Sequence, residues 1–438
     1  MENAIILKKS VLKSYLKYLL PTVIGMVTYS LYCLADVLFV SLGVGKDGLA
    51  ALNISLPIFT LYSSLAILIG VGASITMGIC KGEGLHQLAN KVFTMALVTS
   101  GILGILFMIF SILFTEKLAL LLGANDLIMA DVLAYLLPVT WGIFFYMLYG
   151  TLTVVVRGDG NPTLVMIAGI VGNSINILLD YVFIIPLNMG TFGAGLATAI
   201  GFSISMFILC FHFILKKNTV HFTRNFFDKS LFIRLVKNGT GASLLEVSTG
   251  FTIFLLNLAL MQVSGSTAVA IFSIISNIAF IAKGLFGGMA QASQPIISLN
   301  YGQKNFEIVK LAYRYAMIIA GSTGLIVFIL LGIFSKFLIS SLVSSEASII
   351  LQGTTAIWLY FIAFSFTGFN TVLMYYFQSI EHSLYSTLMS LTRGIVLIFI
   401  LLLVLPLFLG EKGIWLVSPV TEVLTFSFFM MLKRKKTL

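Results

Sequence analysis

The sequence predicts an all-α polytopic membrane protein: twelve transmembrane helices in two six-helix bundles related by a pseudo-twofold axis along the membrane normal. Three observations predict it. The 438 residues are 59% hydrophobic and only 10% charged, against about 25% charged in an ordinary soluble domain. The apolar residues fall into repeated runs at or above the ~20 residues that a helix needs to cross a bilayer. The chain also repeats itself near half its length. A chain this poor in charge cannot cover itself with polar surface. A soluble multi-domain enzyme, a disordered chain and a nucleic-acid-binding chain are therefore excluded.

Charged or turn-rich breaks place the spans near 15–41, 48–80, 88–114, 130–156, 163–186 and 193–215, then 233–263, 268–300, 308–334, 348–379, 384–409 and 413–432. Several exceed a bare crossing, so tilt or extension beyond the bilayer is expected. With the N-terminus in the cytoplasm, 20 Lys and Arg fall on the cytoplasmic side. These run from Lys8, Lys9, Lys13 and Lys17 to the Lys433–Lys436 tail, against 4 in the outer loops. The positive-inside rule thus supports an even span count and both termini in the cytoplasm, and the plasma membrane is the expected location. The net charge of +10 is then a matter of topology and needs no acidic partner. The first apolar run is too long for a cleavable signal peptide. Cys33, Cys80 and Cys210 lie in apolar spans and read as packing residues.

The repeat has an ungapped offset of 220 residues. Gly45 matches Gly265, Ala50 matches Ala270, Gly82 matches Gly302, Phe114 matches Phe334, Pro186 matches Pro406 and Gly193 matches Gly413. Each match is weak alone, and the shared offset is the signal. Six spans per half is an even number, so both halves enter the membrane in the same direction. That is the parallel-repeat plan of one class of secondary transporters. A duplicated channel or scaffold would show the same symmetry. The expected domains are an N-terminal bundle over 1–215, a cytoplasmic linker over 216–230 and a C-terminal bundle over 231–438.

Ionisable groups inside spans are costly, about 2.5–3.5 kcal/mol each at mid-helix, and are functional candidates by default. They are Asp36, Asp180, Glu246, Lys283, Arg393 and Glu422. Asp36 lies roughly 30 Å along span 1 and Asp180 roughly 27 Å along span 5 at 1.5 Å per residue. Both spans rise outward, so the two carboxylates can share a layer in the outer half of the membrane. Asn173, Asn176 and Asp180 fall on one helical face, and Tyr32 sits one turn below Asp36. Thr198 lies near the top of span 6. Two carboxylates, an amide oxygen and a hydroxyl at one level suit Na⁺, and they suit a shared proton equally. The repeat counterparts of Asp36 and Asp180 are Leu256 and Ile400, so the cation chemistry is expected in the first half alone. The alternative is a hydrogen-bonded tie between spans 1, 5 and 6, though a tie rarely needs two acids with no base in the same layer.

In the second half, Glu246, Lys283, Arg393 and Glu422 lie near mid-depth. They can pair as a buried salt-bridge network, or Glu246 can face a cavity and attract a cationic substrate. Asp159 beside Arg157 reads as a structural ion pair in a short loop. Pro21, near the start of span 1, is a candidate bend.

These residues carry a resemblance. Pro21, Asp36 with Val37 to Gly43, Leu49-Ala50-Ala51 and Pro57 resemble the first signature of the multidrug and toxic compound extrusion (MATE) family, in its MepA-like and DinF-like bacterial subgroup. Arg157 to Pro162 resembles the loop before span 5. Asn176, Asp180, Gly193-Ala194-Gly195 and Thr198 resemble the spans 5–6 signature. Gln294-Pro295 with Asn300-Tyr301-Gly302, and Gly413-Ile414-Trp415 with Pro419, resemble the ends of the second half. The resemblance implies a cation-coupled (H⁺ or Na⁺) efflux antiporter for amphipathic, cationic organic compounds, working by alternating access. It implies a first-half cation site at Asp36, Asn176, Asp180 and Thr198, with Tyr32 beside it and Pro21 as the bend. Where some relatives carry a carboxylate in span 10, this chain has uncharged residues such as Asn370, which favours the first-half site. The expected partners are small-molecule drugs or organic cations and the bilayer, not nucleic acid, with no cofactor beyond the coupling ion and a monomer as the working unit. A lipid-linked glycan flippase would want more cavity Arg and Lys than Lys283 and Arg393. A passive channel would need no carboxylate pair, and no nucleophile–base set for an enzyme is legible.

Overall fold

A computed structural model describes residues 2–342 and 346–435; Lys436, the end of the basic tail, lies outside them. The described chain is helical almost throughout, as a chain in hydrocarbon must be if every backbone N–H and C=O is to find a partner. The first half gives α1 (Glu2–Gly43), α2 (Lys46–Gly82), α3 (His86–Leu121), α4 (Met129–Gly158), α5 (Pro162–Ile184) and α6 (Gly190–Ile214). The second gives α7 (Lys229–Gly302), α8 (Phe306–Leu342), α9 (Ala347–Phe361), α10 (Phe364–Ser379) and α11 (Ser383–Leu391). A π-helical turn at Thr392–Val396 leads into α12 (Leu397–Leu409), and α13 (Glu411–Lys435) follows.

Among the described residues eleven helical segments are long and apolar enough to cross a membrane, where twelve are expected. The difference lies in α7, a run of 74 residues that joins the expected spans 7 and 8. As one straight helix that much chain would measure about 110 Å at 1.5 Å per residue, far beyond a ~30 Å hydrocarbon core, but it is two helices joined across a kink. Its one non-helical residue is Gly265, at φ 76°, ψ −163°. The repeat partner Gly45 stands at φ 88°, ψ −153°, between α1 and α2. Both backbones occupy a region open to glycine because it lacks a Cβ. The two halves thus share one backbone break at one repeat position.

α1 begins at Glu2, well before the expected residue 15. Pro21 is therefore deep inside the helix rather than in its first turns. An interior proline removes a backbone donor, and beside it the Thr22 hydroxyl donates to the Tyr18 carbonyl at 2.7 Å, a back-bond that favours bending.

Internal contacts divide the chain into two units. The N-terminal unit holds Leu16–Ser243 with Ser298–Asn305. In it α4 packs against α2, α3 and α6, and α5 packs against α6. α5 and α6 meet at glycines: a Cβ on Gly172 would lie 2.7 Å from the Gly201 carbonyl oxygen, and one on Gly201 3.0 Å from that of Gly172. The helix ends at Gly82 and Gly302, which are repeat partners, also touch. A Cβ on Gly82 would come within 3.0 Å of the Gly302 Cα, and the reverse distance is 3.1 Å. The segment between α6 and α7 is tied down in this unit. The His221 and Thr223 amides donate to Asn90 Oδ1 at 2.8 Å and Thr94 Oγ1 at 3.1 Å, and the Asp228 carboxylate caps α7 by accepting from the Ser230 and Leu231 amides.

The C-terminal unit holds Met1–Tyr15, Leu244–Ile297 and Phe306–Leu438. There α8 packs on α9 and α10, and α12 on α13. The Tyr15 hydroxyl donates to the Met289 carbonyl at 2.9 Å, which fastens the first turns of α1 onto α7.

Candidate functional site

The N-terminal unit gathers a polar layer near the ends of four helices. Asp36 is roughly 10 Å before the end of α1 and Asp180 roughly 6 Å before the end of α5; Thr198 is roughly 12 Å into α6. The antiparallel run of α5 and α6, drawn together at Gly172 and Gly201, sets Asn176 against Thr198, and Asn176 Nδ2 donates to Thr198 Oγ1 at 3.4 Å. That leaves the amide oxygen buried without a hydrogen-bond partner among the described residues. Asp36 is 6% exposed, Asn176 2% and Asp180 0%. Asp36 and Asp180 lie within electrostatic reach of each other.

Four buried oxygens here lack a hydrogen-bond partner among the described residues: Asp36 Oδ1, Asn176 Oδ1 and both oxygens of Asp180. Buried polar atoms are ordinarily satisfied. A cluster of orphaned acceptors with no donor is what a bound cation or added protons would complete, since an ionised carboxylate can only accept. The all-oxygen set suits a hard cation such as Na⁺.

α4 supplies a residue that the sequence reading missed. Tyr135 is buried, shares a hydrogen bond with Thr198 and feels the charges of both Asp36 and Asp180. It lies roughly 9 Å into α4 from the same end, so the depth count applied to the acids would have found it. Tyr32 lies one turn below Asp36, with its ring against Tyr29 and Phe202 at 5.7 and 6.2 Å. Asn173 is buried but sits about 10 Å along α5 from Asp180; it shares the face and not the layer.

A pocket opens directly beside Thr198, lined by Phe59, Tyr62, Ile143, Tyr146 and Phe202 among others. Its rings meet edge to face, with Tyr146 4.7 Å from Phe202 and 6.3 Å from Phe59. Thr198 therefore belongs to both the aromatic wall and the polar layer.

The acids of the C-terminal unit are arranged otherwise. Arg393, in the π-helical turn, donates from Nε to Glu422 Oε1 at 2.7 Å and from a terminal nitrogen to the Thr371 hydroxyl at 3.1 Å. Asn370 Nδ2 donates to Glu422 Oε2 at 2.6 Å and to the Glu422 carbonyl at 2.8 Å. The paired reading of this group thus holds for Arg393 and Glu422. Lys283 feels both charges. Glu246 is half-buried on α7.

A third cluster lies between helix ends in the N-terminal unit. Asp159 is buried and is met by Lys81 of α2, by His212 Nε2 of α6 at 2.8 Å, and by the Thr219 amide at 2.9 Å and the Thr219 hydroxyl. Burial by itself would raise this carboxyl. The His212 hydrogen bond, the Lys81 charge and the Thr219 hydroxyl outweigh it and hold the pKa at about 2.

Comparison with known proteins agrees with this architecture. The MatE family model matches residues 21–182 and 242–404, two stretches whose starts differ by close to the repeat offset. The multidrug export protein MepA of Staphylococcus saprophyticus is 26% identical over 419 residues, 93% of this chain and 90% of that protein. Among solved structures, an outward-facing multidrug resistance MATE family transporter of the MOP superfamily superposes with a TM-score of 0.90. It is 26% identical, with 97% of this chain and 95% of that one covered. A MATE structure in a bent conformation gives a TM-score of 0.88 at 26% identity, covering 100% of this chain and 99% of that one.

Proposed function

The chain belongs to the MatE family, a family of membrane transporters and not of enzymes, and from that premise we propose that it is a cation-coupled multidrug exporter. A cation, H⁺ or Na⁺, binds at Asp36, Asp180, Asn176 and Thr198 and moves inward. An amphipathic, cationic organic compound moves outward by alternating access. The chain crosses the plasma membrane twelve times with both termini in the cytoplasm, turning at Gly265 as it turns at Gly45, and works as a monomer of two six-helix bundles.

One observation carries this reading: among the described residues, two buried, partnerless carboxylates share a layer with no base in it. Such a site binds a cation more tightly in whichever conformation keeps the layer closed. A differential of a few kcal/mol is enough to bias a two-state carrier. Thr198 joins the polar layer to the aromatic side chains around it, which supports a link between cation and solute. Tyr32 and Tyr135 flank the acids, Glu246 attracts the solute's positive charge, and Pro21 lets α1 bend as the layer fills and empties.

The test is drug uptake into inside-out vesicles under an imposed pH gradient and, separately, an imposed Na⁺ gradient. Uptake driven by one of the two names the coupling ion. Uptake that follows only the drug's own gradient defeats the proposal.

A further inference from the structure

The coupling site leaves unused an ammonium in the other unit. Lys283 lies midway between Gly265 and the end of α7 at Gly302, roughly 27 Å from either at 1.5 Å per residue. Its neighbours in charge are Arg393 and Glu422. Both oxygens of Glu422 are already taken by Arg393 and Asn370, and Arg393 is spent on Glu422 and Thr371. The cluster therefore holds two cations and one anion. Among the described residues no hydrogen bond or ion pair engages the Lys283 ammonium.

The helix face one turn from Lys283 carries no side chain, because Gly287 stands there. Lys283, Gly287 and Gln291 follow one another at single-turn spacing on α7. A Cβ built on Gly287 would meet nothing closer than Gln291 Nε2 at 4.0 Å, so there is room beside the helix one turn from the ammonium. At the far end Gln291 Nε2 donates to the Tyr375 hydroxyl at 3.5 Å. The floor is a bare glycine, one end is a cation and the other is an amide and a phenol.

We propose that this face of α7 binds the carboxylate of an amphipathic solute, with Lys283 Nζ as its counter-ion and Gln291 and Tyr375 taking a neutral polar group beyond Gly287. A carboxylate supplies both the missing negative charge and strong acceptors for the ammonium. A single flexible ammonium suits a singly charged acid. A pyrophosphate would call for the fork of a free guanidinium, and the one here is engaged with Glu422. The inference rests on the exporter reading for the solute's route, but the binding site does not depend on it.

The test uses the purified full-length chain in lipid nanodiscs and a xanthene dye carrying a free carboxylate, paired with the methyl ester of the same dye. Fluorescence anisotropy reads both affinities. The wild type is expected to favour the acid. Lys283→Met is expected to lower the acid-to-ester affinity ratio about ten-fold or more, as loss of a charge-assisted hydrogen bond does. Lys283→Arg is expected to retain the preference, and Gly287→Leu, which fills the floor, to weaken the acid dye with Lys283 still present. An unchanged ratio in Lys283→Met overturns the proposal, as does a wild type that prefers the ester or holds neither dye. A Lys283→Met protein that fails to fold hands the decision to Lys283→Arg and Gly287→Leu. Gradient-driven uptake of the ester in vesicles reads the exporter function separately. Its loss with acid-selective binding intact defeats the exporter reading and leaves this site standing.

Discussion

In the N-terminal unit Asp180 is fully buried and neither of its oxygens has a partner. In the C-terminal unit Glu422 is also buried, and both of its oxygens are occupied by Arg393 and Asn370. The two units descend from one repeat, so the contrast can be traced to single positions. The 220-residue offset pairs Arg393 with Asn173 and Glu422 with Phe202. Where one half has an amide on the face of α5, the other has a guanidinium. A tethered guanidinium is a permanent counter-ion, so Glu422 has no vacancy for a cation from solution. Acids without a tethered base must recruit one. The lesson is that duplication supplied two equivalent frames, and charge placement made one of them exchangeable and the other closed.

The largest effect expected from this contrast is on coupling. Asp36→Asn and Asp180→Asn should each reduce gradient-driven uptake in vesicles by about a hundred-fold, because a neutral amide cannot hold the cation and no third acid lies in the layer. Retained uptake in both would refute the coupling assignment.

The same acid-to-amide change should have opposite effects on stability in the two units. Glu422→Gln leaves Arg393 buried without its partner and should cost about 3 kcal/mol, read as a fall in thermal unfolding midpoint in detergent. Asp180→Asn removes an uncompensated buried charge and should raise the midpoint by the equivalent of about 1 kcal/mol. Two shifts of the same sign would erase the contrast.

Asp159 shows what a fully partnered acid does at a helix end. Its carboxyl sits at about 2, below the ordinary 3.8. That depression contributes about 2 kcal/mol of stability above pH 4. The contribution is lost as pH falls through the folded value near 2. Asp159→Asn should lower stability by that amount at neutral pH and flatten the acid limb of the unfolding profile between pH 4 and 2.

The smallest effect concerns the shared break. Gly45→Ala and Gly265→Ala should each destabilise by about 1–2 kcal/mol, since a Cβ is poorly tolerated at positive φ. Nothing crowds either position, so backbone strain is the whole of the expected loss. A cost at one glycine alone would show that the two turns are not equivalent.

Much of this was legible before any fold was known. Hydropathy located the helices, because a segment in hydrocarbon has to satisfy its own backbone and does so locally. The rarity of acids in apolar runs singled out Asp36 and Asp180, and helical rise put them at one depth. The reading fell short where two helices had to be compared. Tyr135 looked like any membrane tyrosine until α4 was set against α6. Asn173 shared a face with Asp180 but not a level.

By itself, then, the sequence determined the class of fold, the twofold repeat and which buried acids to suspect, since these follow from composition and one-dimensional spacing. Only the tertiary structure decided which of those acids are paired. Arg393 and Glu422 are 29 residues apart in sequence and 2.7 Å apart in space, and Thr198 comes to belong to both the polar layer and the pocket wall through the approach of α5 to α6 at Gly172 and Gly201. A hydrogen bond is set by distances of a few tenths of an ångström between separate helices, and no spacing along a single chain encodes that.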